Sequence, residues 1–179
     1  MDTKNLRSTL RQMADEAKNG KLYRGMGFSV FDGKTPNHSK SVTVKLLNRD
    51  FVLGDKDWFT FEEAKLIEDV GREFGLRIPT AHEWRGIGFW VTHDDIYAGE
   101  TKFNFRHNGY RWEGTDFRQD MSVAYYWTGS EDFSADKSTK ATESEKARAV
   151  KIAVGQFNIL SRPKTEGMNL RLMYDDSLV

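Results

Sequence analysis

Residues 74–84, Phe-Gly-Leu-Arg-Ile-Pro-Thr-Ala-His-Glu-Trp, hold a helix stop, a short extended link and a helix start. Upstream, Thr60 and Glu63 form a capping box, in which a hydroxyl and a carboxylate each satisfy a backbone N–H at the helix start. Phe61, Ala64, Ile67, Val70 and Phe74 then recur at helical spacing as one buried stripe. Gly75 ends that helix, and Leu76 supplies the apolar contact that accompanies a glycine stop. Pro79 disfavours helical backbone at Ile78, and Thr80 with Glu83 opens a second short helix through a second capping box. Trp84 enters the core from that helix, and the same capping role accounts for the Glu83 carboxylate without any acid–base duty.

Working outward, residues 3–18 predict an amphipathic helix with Asp2 as its cap and Gly20 past its end. Its apolar stripe, Leu6, Leu10, Met13, Ala14 and Ala17, is narrow and suits docking. The period turns strand-like from Lys21, and residues 41–48 alternate Val42, Val44 and Leu46 with polar neighbours. These segments read as an antiparallel hairpin with its loop at Asp32 to Ser39. Residues 90 to 122 sustain no period and mix aromatic residues with Gly, Asn and Asp, the pattern of long ordered loops. Strands return at 123–130, 147–155, the following QFNIL run and 168–175, with a polar tip between the first two. The order is strands, two helices, irregular loops and closing antiparallel strands, an α+β arrangement.

The chain has 179 residues, the size of one ordinary domain, with 27 Lys+Arg against 27 Asp+Glu. Zero formal charge supplies no field toward nucleic acid or an anionic membrane, so neither is an expected partner. No apolar run approaches a membrane span, and the charged N-terminus is unlike a signal peptide, so membrane insertion and export by the general secretory route are not expected. With no cysteine there is no disulfide, thiolate metal site or cysteine nucleophile. Aromatic residues make up 13% of the chain, enough large apolar surface for a folded core.

The string at 74–84 resembles the Gly-any-Arg-Leu-Pro-Thr-any-any-Glu-Trp signature of formylglycine-generating-enzyme-like domains and of the Fibrobacter succinogenes major paralogous domain. YYWTGSE at 125–131, ARAVKI at 147–152 and GMNLRLMYD at 167–175 resemble the closing blocks of the second family, in the same order. The resemblance implies a C-type-lectin-like domain over 21–179, with 1–20 as an N-terminal helical tether. It implies that the first and last strands pair, placing 22–31 beside 168–175, with the long loops at the opposite pole. The cysteine pair of the sulfatase-activating members and the clustered histidines of the sulfoxide synthases are absent, so those activities do not carry over. The calcium and sugar motifs of animal lectins are missing too.

Tyr97, Tyr110 and Trp112, with Asp94 and Asp95, are the candidate ligand-binding residues of the long loops, because rigid rings give contact area at low entropic cost. Leu6, Leu10 and Met13 are the candidate partner-binding face. No catalytic residue, metal or cofactor is assigned. The expectation is a non-enzymatic binding or structural module, placed in a bacteriophage virion as a head or tail decoration or adhesion protein. Its partners are then other virion or assembly proteins and a host-surface glycan or protein, within an oligomer or larger assembly. Two alternatives remain open: a metal-dependent enzyme on the same scaffold using His93, Asp94, Asp95 or Glu100, and an intracellular, cytoplasmic adaptor.

Overall fold

The computed structural model describes residues 1–18, 22–24, 28–31, 39–42, 45–90, 105–131, 145–153 and 156–179. The chain begins with α1, Thr3–Lys18, whose first turn is capped by the Asp2 carboxylate accepting from the Lys4 N–H at 3.0 Å. The hairpin follows in two steps: β1 (Leu22–Arg24) pairs with β4 (Lys45–Leu47), and further out β2 (Phe28–Phe31) pairs with β3 (Ser39–Val42). All four strands run antiparallel to their partners, as the alternation predicts.

Both capping boxes form. α2, Phe61–Arg72, starts where the Thr60 hydroxyl accepts from the Glu63 N–H at 3.3 Å and the Glu63 carboxylate accepts from the Thr60 N–H at 2.9 Å. Gly75 has φ +79°, and a Cβ there would stand 2.8 Å from the Tyr174 ring, so both backbone and packing require glycine. β5, Leu76–Arg77, links to α3, Ala81–Trp90, whose box repeats the geometry at 2.7 and 3.2 Å. Glu83 has a second duty. It receives two N–H bonds from Arg77, at 2.8 and 2.6 Å, while the third Arg77 nitrogen reaches Asp175 at 2.7 Å.

A short ribbon, β6 (Tyr110–Arg111) with β7 (Arg118–Gln119), precedes the closing meander. β8 (Ala124–Glu131), β9 (Lys146–Ala153) and β10 (Gln156–Pro163) form an antiparallel sheet in the order β10-β9-β8. Its register sets Tyr126 opposite Val150 and Trp127 opposite Ala149, so a small alanine faces the largest side chain. Trp127 is buried, donates its indole N–H to the Phe59 carbonyl at 2.8 Å and meets the Phe61 ring edge-on at 5.4 Å. Trp84 centres a second cluster with Phe105 and Tyr126.

The final segment departs from the expected single strand. Only β11, Met173–Tyr174, is regular strand, and it lies between β4 and β5 in a sheet ordered β1-β4-β11-β5. Residues 22–24 therefore stand one strand away from the C-terminal segment instead of beside it. Leu46 and Leu47 of β4 are both buried, so this arm takes the interior position and leaves β1 outside it. Before β11, residues 167–172 pass between the sheets and bond in turn to Arg111, Phe59, Tyr125, Phe51 and Leu47. A segment shared among so many neighbours cannot hold one continuous ladder.

The N-terminal helix requires a second correction. Leu6, Leu10 and Met13, expected as a partner-binding face, are fully buried in the main core with Ala14, Ala17, Phe51 and Ile67. The narrow stripe is the one the sequence shows, and α1 lays it against the chain's own α2 and core. Residues 1–18 are thus packed into the same core as the segments that follow, not held apart as a tether.

Candidate functional site

Immediately before α2, Trp58 and Phe59 run antiparallel to Gly167 and Met168: Phe59 and Met168 exchange backbone hydrogen bonds of 2.8 and 2.9 Å. Gly167 and Arg111 exchange another pair, at 2.7 and 3.1 Å, so three separate stretches of chain meet here. Gly167 is the contact point. A Cβ at this position would lie 2.3 Å from Trp58 Cε3 and 2.9 Å from Arg111 Cβ, so the indole can lie against backbone only because no side chain intervenes.

The ribbon end supplies the facing wall. The Trp112 N–H donates to the Phe117 carbonyl at 2.9 Å, and the Thr115 N–H donates to the Trp112 carbonyl at 3.1 Å. The Thr115 hydroxyl accepts from the Phe117 N–H at 3.1 Å, closing a compact turn. This turn holds Trp112 and Phe117 outward, 47% and 65% exposed, and Met121 is exposed close behind them in the sequence. Between the Trp58 and Trp112 walls lies a cleft of about 500 Å³, its remaining rim formed by Glu62, Asp116, Lys164 and Thr165.

The charges around Trp58 are tied to structural partners. Lys56 Nζ sits 4.5 Å from the Trp58 ring centre and 2.6 Å from the Glu63 carboxylate, which also serves the α2 capping box. The Arg111 guanidinium lies 5.3 Å from the same ring and pairs with Asp116 at 3.7 Å. Next to the cleft, Glu166 is buried and receives two Arg162 N–H bonds at 2.7 and 2.8 Å. Burial raises its pKa, and the Arg162 guanidinium only partly opposes that rise.

The residues singled out from the sequence divide. Trp112 lines the cleft, whereas Tyr110 is buried: its hydroxyl donates to Gln119 at 2.8 Å, its ring meets Tyr125 at 5.1 Å and the Arg162 guanidinium covers it at 4.5 Å. Alternation would set Tyr110 and Trp112 on one face, but β6 ends at Arg111, and the turn that follows carries Trp112 outward. Tyr97, Asp94 and Asp95 lie outside the described residues, as do His93 and Glu100 of the metal-dependent alternative and the polar stretch 132–144. Among the described residues no three His, Asp or Glu side chains gather as metal ligands.

Sequence reasoning missed Trp58, Glu62, Lys164, Thr165 and Gly167. The polar run GDKD before Trp58 reads as a turn, and nothing in it signals that Gly167, more than a hundred positions later, becomes the floor of the site. Trp58 itself, two residues ahead of the Thr60 cap, was the available clue.

No protein-family model, curated protein or solved structure matches the chain. The fold is a mixed α+β arrangement with three helices and several small antiparallel sheets among the described residues. Among those residues no helix is long and apolar enough to cross a membrane.

Proposed function

We propose that the chain is a non-enzymatic binding module of C-type-lectin-like type that holds its partner in the Trp58–Trp112 cleft. The observation that carries the reading is an exposed indole, Trp112, fixed on a hydrogen-bonded turn across a cleft from a second indole that is immobilised against Gly167. Solvent-exposed tryptophan on a rigid frame is the pattern of a contact residue, because the ring loses little entropy on binding. The charged groups around Trp58 support a binding role, since Glu63, Lys56 and Arg111 already hold capping or ion-pair positions. The lectin-like part of the reading draws on the capped helices α2 and α3, the closing β8–β10 meander and the C-terminal strand that joins the N-terminal hairpin sheet.

In the same proposal the module belongs to a bacteriophage virion and contacts neighbouring virion proteins or the host surface. Purified particles that contain the chain support this setting, and particles without it remove it. The binding reading is tested by passing labelled protein over intact host cells, isolated surface glycans and virion proteins, beside a Trp112→Ala variant. Binding that the variant loses supports the cleft. Equal binding by both proteins, or none by either, overturns it.

A further inference from the structure

We propose that the cleft and the hollow beside it form one groove for a basic polypeptide segment, with a lysine or arginine lying over the Trp112 indole and against Glu62. This inference rests on the binding-module reading above and names its ligand chemistry. The first support is the internal chemistry of the site. Two of the chain's own cations pair an indole with a carboxylate: Lys56 stands 4.5 Å from the Trp58 ring centre and 2.6 Å from Glu63, and Arg111 stands 5.3 Å from the same ring and 3.7 Å from Asp116. The Lys56 unit combines cation–π attraction with a charge-assisted hydrogen bond, and the Arg111 unit combines it with a longer ion pair. Trp112 and Glu62 repeat the indole and the carboxylate on the rim of the same cleft. Among the described residues no cation or ring lies over Trp112, and the Glu62 carboxylate has no hydrogen bond or ion pair.

The second support is shape. A hollow of about 400 Å³ shares Glu62 and Lys164 with the cleft and continues past Leu66 to Asp69, with Glu131 on its border. Glu62, Lys65, Leu66 and Asp69 follow at i, i+3, i+4 and i+7, one face of α2, so the groove runs along the helix. Leu66 is 50% exposed there and offers apolar surface to the stem of a long side chain.

The third support is charge. Glu62, Glu63, Asp69, Asp116 and Glu131 line the two hollows against Lys65 and Lys164. Lys65 sits at Glu68, Lys164 at Glu131, Lys56 at Glu63 and Arg111 at Asp116, which leaves Glu62 and Asp69 without a cation among the described residues. The groove therefore carries surplus negative charge, which attracts a cationic chain and gives no advantage to a neutral glycan.

Calorimetric titration of the full chain with a short acetylated peptide of alternating serine and lysine tests the proposal, beside the matched serine–glutamine peptide and a chitin oligosaccharide. The expected result is binding of the lysine peptide alone, weakened by added salt and weakened about three- to tenfold by Glu62→Gln and by Trp112→Ala. Both variants alter exposed side chains, and unchanged circular dichroism confirms their fold. Binding of the lysine peptide that ignores both substitutions overturns the groove. Trp112-dependent binding of the oligosaccharide without the lysine peptide overturns the cationic ligand and leaves the binding module standing. No binding of the lysine peptide also overturns the inference, and the host-cell and virion-protein assay then decides separately whether the module reading survives.

Discussion

The Arg171 guanidinium stands 2.6 Å from the Asp50 carboxylate with both side chains closed to water, one at 0% and the other at 2% exposure. Arg171 also donates to the Leu47 carbonyl at 3.0 Å, and the Tyr126 hydroxyl donates a hydrogen bond to the Asp50 carboxylate at 3.0 Å. Burial pushes the Tyr126 phenol well above its ordinary pKa, and the Asp50 charge adds to that rise, so it remains a donor across the neutral range. One ion pair with its hydrogen bonds thus joins the C-terminal segment, the stretch that follows β4 and the aromatic strand β8.

Arg171→Met is expected to lose about 3–5 kcal/mol of stability, because it strands a buried carboxylate. The double variant Arg171→Met with Asp50→Leu is expected to lose clearly less than the sum of the two single variants, since no charge is then left behind. Urea denaturation of all three variants at neutral pH measures the coupling. Simple additivity would show that the two groups act independently.

Asp175 gives the fold a defined acid sensitivity. Burial pushes its pKa up, but the Ser177 hydroxyl and N–H and the Arg77 guanidinium outweigh that and hold it at about 2. Glu83 is likewise lowered: burial raises it, and its bonds with Arg77 and Thr80 more than reverse the effect. For a depressed carboxylate the stabilisation is fully present above the unfolded-state pKa of about 4 and disappears as pH falls toward the folded value. Stability is therefore expected to drop between about pH 4 and pH 2. Arg77→Met is expected to flatten that part of the curve while lowering neutral-pH stability. A wild-type acid limb retained in Arg77→Met would refute the linkage.

The packing of α1 is tested at Leu10. Leu10→Ala is expected to cost about 2–5 kcal/mol, the usual range for truncating a fully buried leucine. Removal of residues 1–18 is expected to leave a chain that aggregates or loses near-ultraviolet dichroism. A truncated protein with the parent melting temperature would restore the tether reading.

Gly167→Ala places a methyl group where Trp58 Cε3 would be 2.3 Å away, so the indole must shift. A loss of about 1–3 kcal/mol is expected, the range of overpacking. A blue or red shift in tryptophan emission should accompany it, together with weaker ligand binding. Unchanged emission with wild-type stability would place Trp58 elsewhere.

Much of the scaffold was legible locally. Thr60 with Glu63 and Thr80 with Glu83 announce both capped helices, because a capping box is completed within four consecutive residues. The apolar stripe of residues 3–18 and the alternation of the first hairpin were equally visible, since a period needs only near neighbours. The destination of a stripe is not a local property. Leu6, Leu10 and Met13 look the same whether they meet a foreign partner or their own core. The same limit hid the C-terminal segment, where Met168 reads as strand but bonds to Phe59 across a long chain separation.

Sequence by itself determined where helices begin and stop, which residues alternate and which chemistries the absence of cysteine removes. Tertiary structure alone decided that Trp58, Trp112 and Gly167 share one cleft, that Tyr110 turns inward and that Asp50 finds Arg171. Caps and periods are encoded in atoms a few bonds or one turn apart. Clefts and buried ion pairs arise only when distant segments close on one another and water is expelled between them.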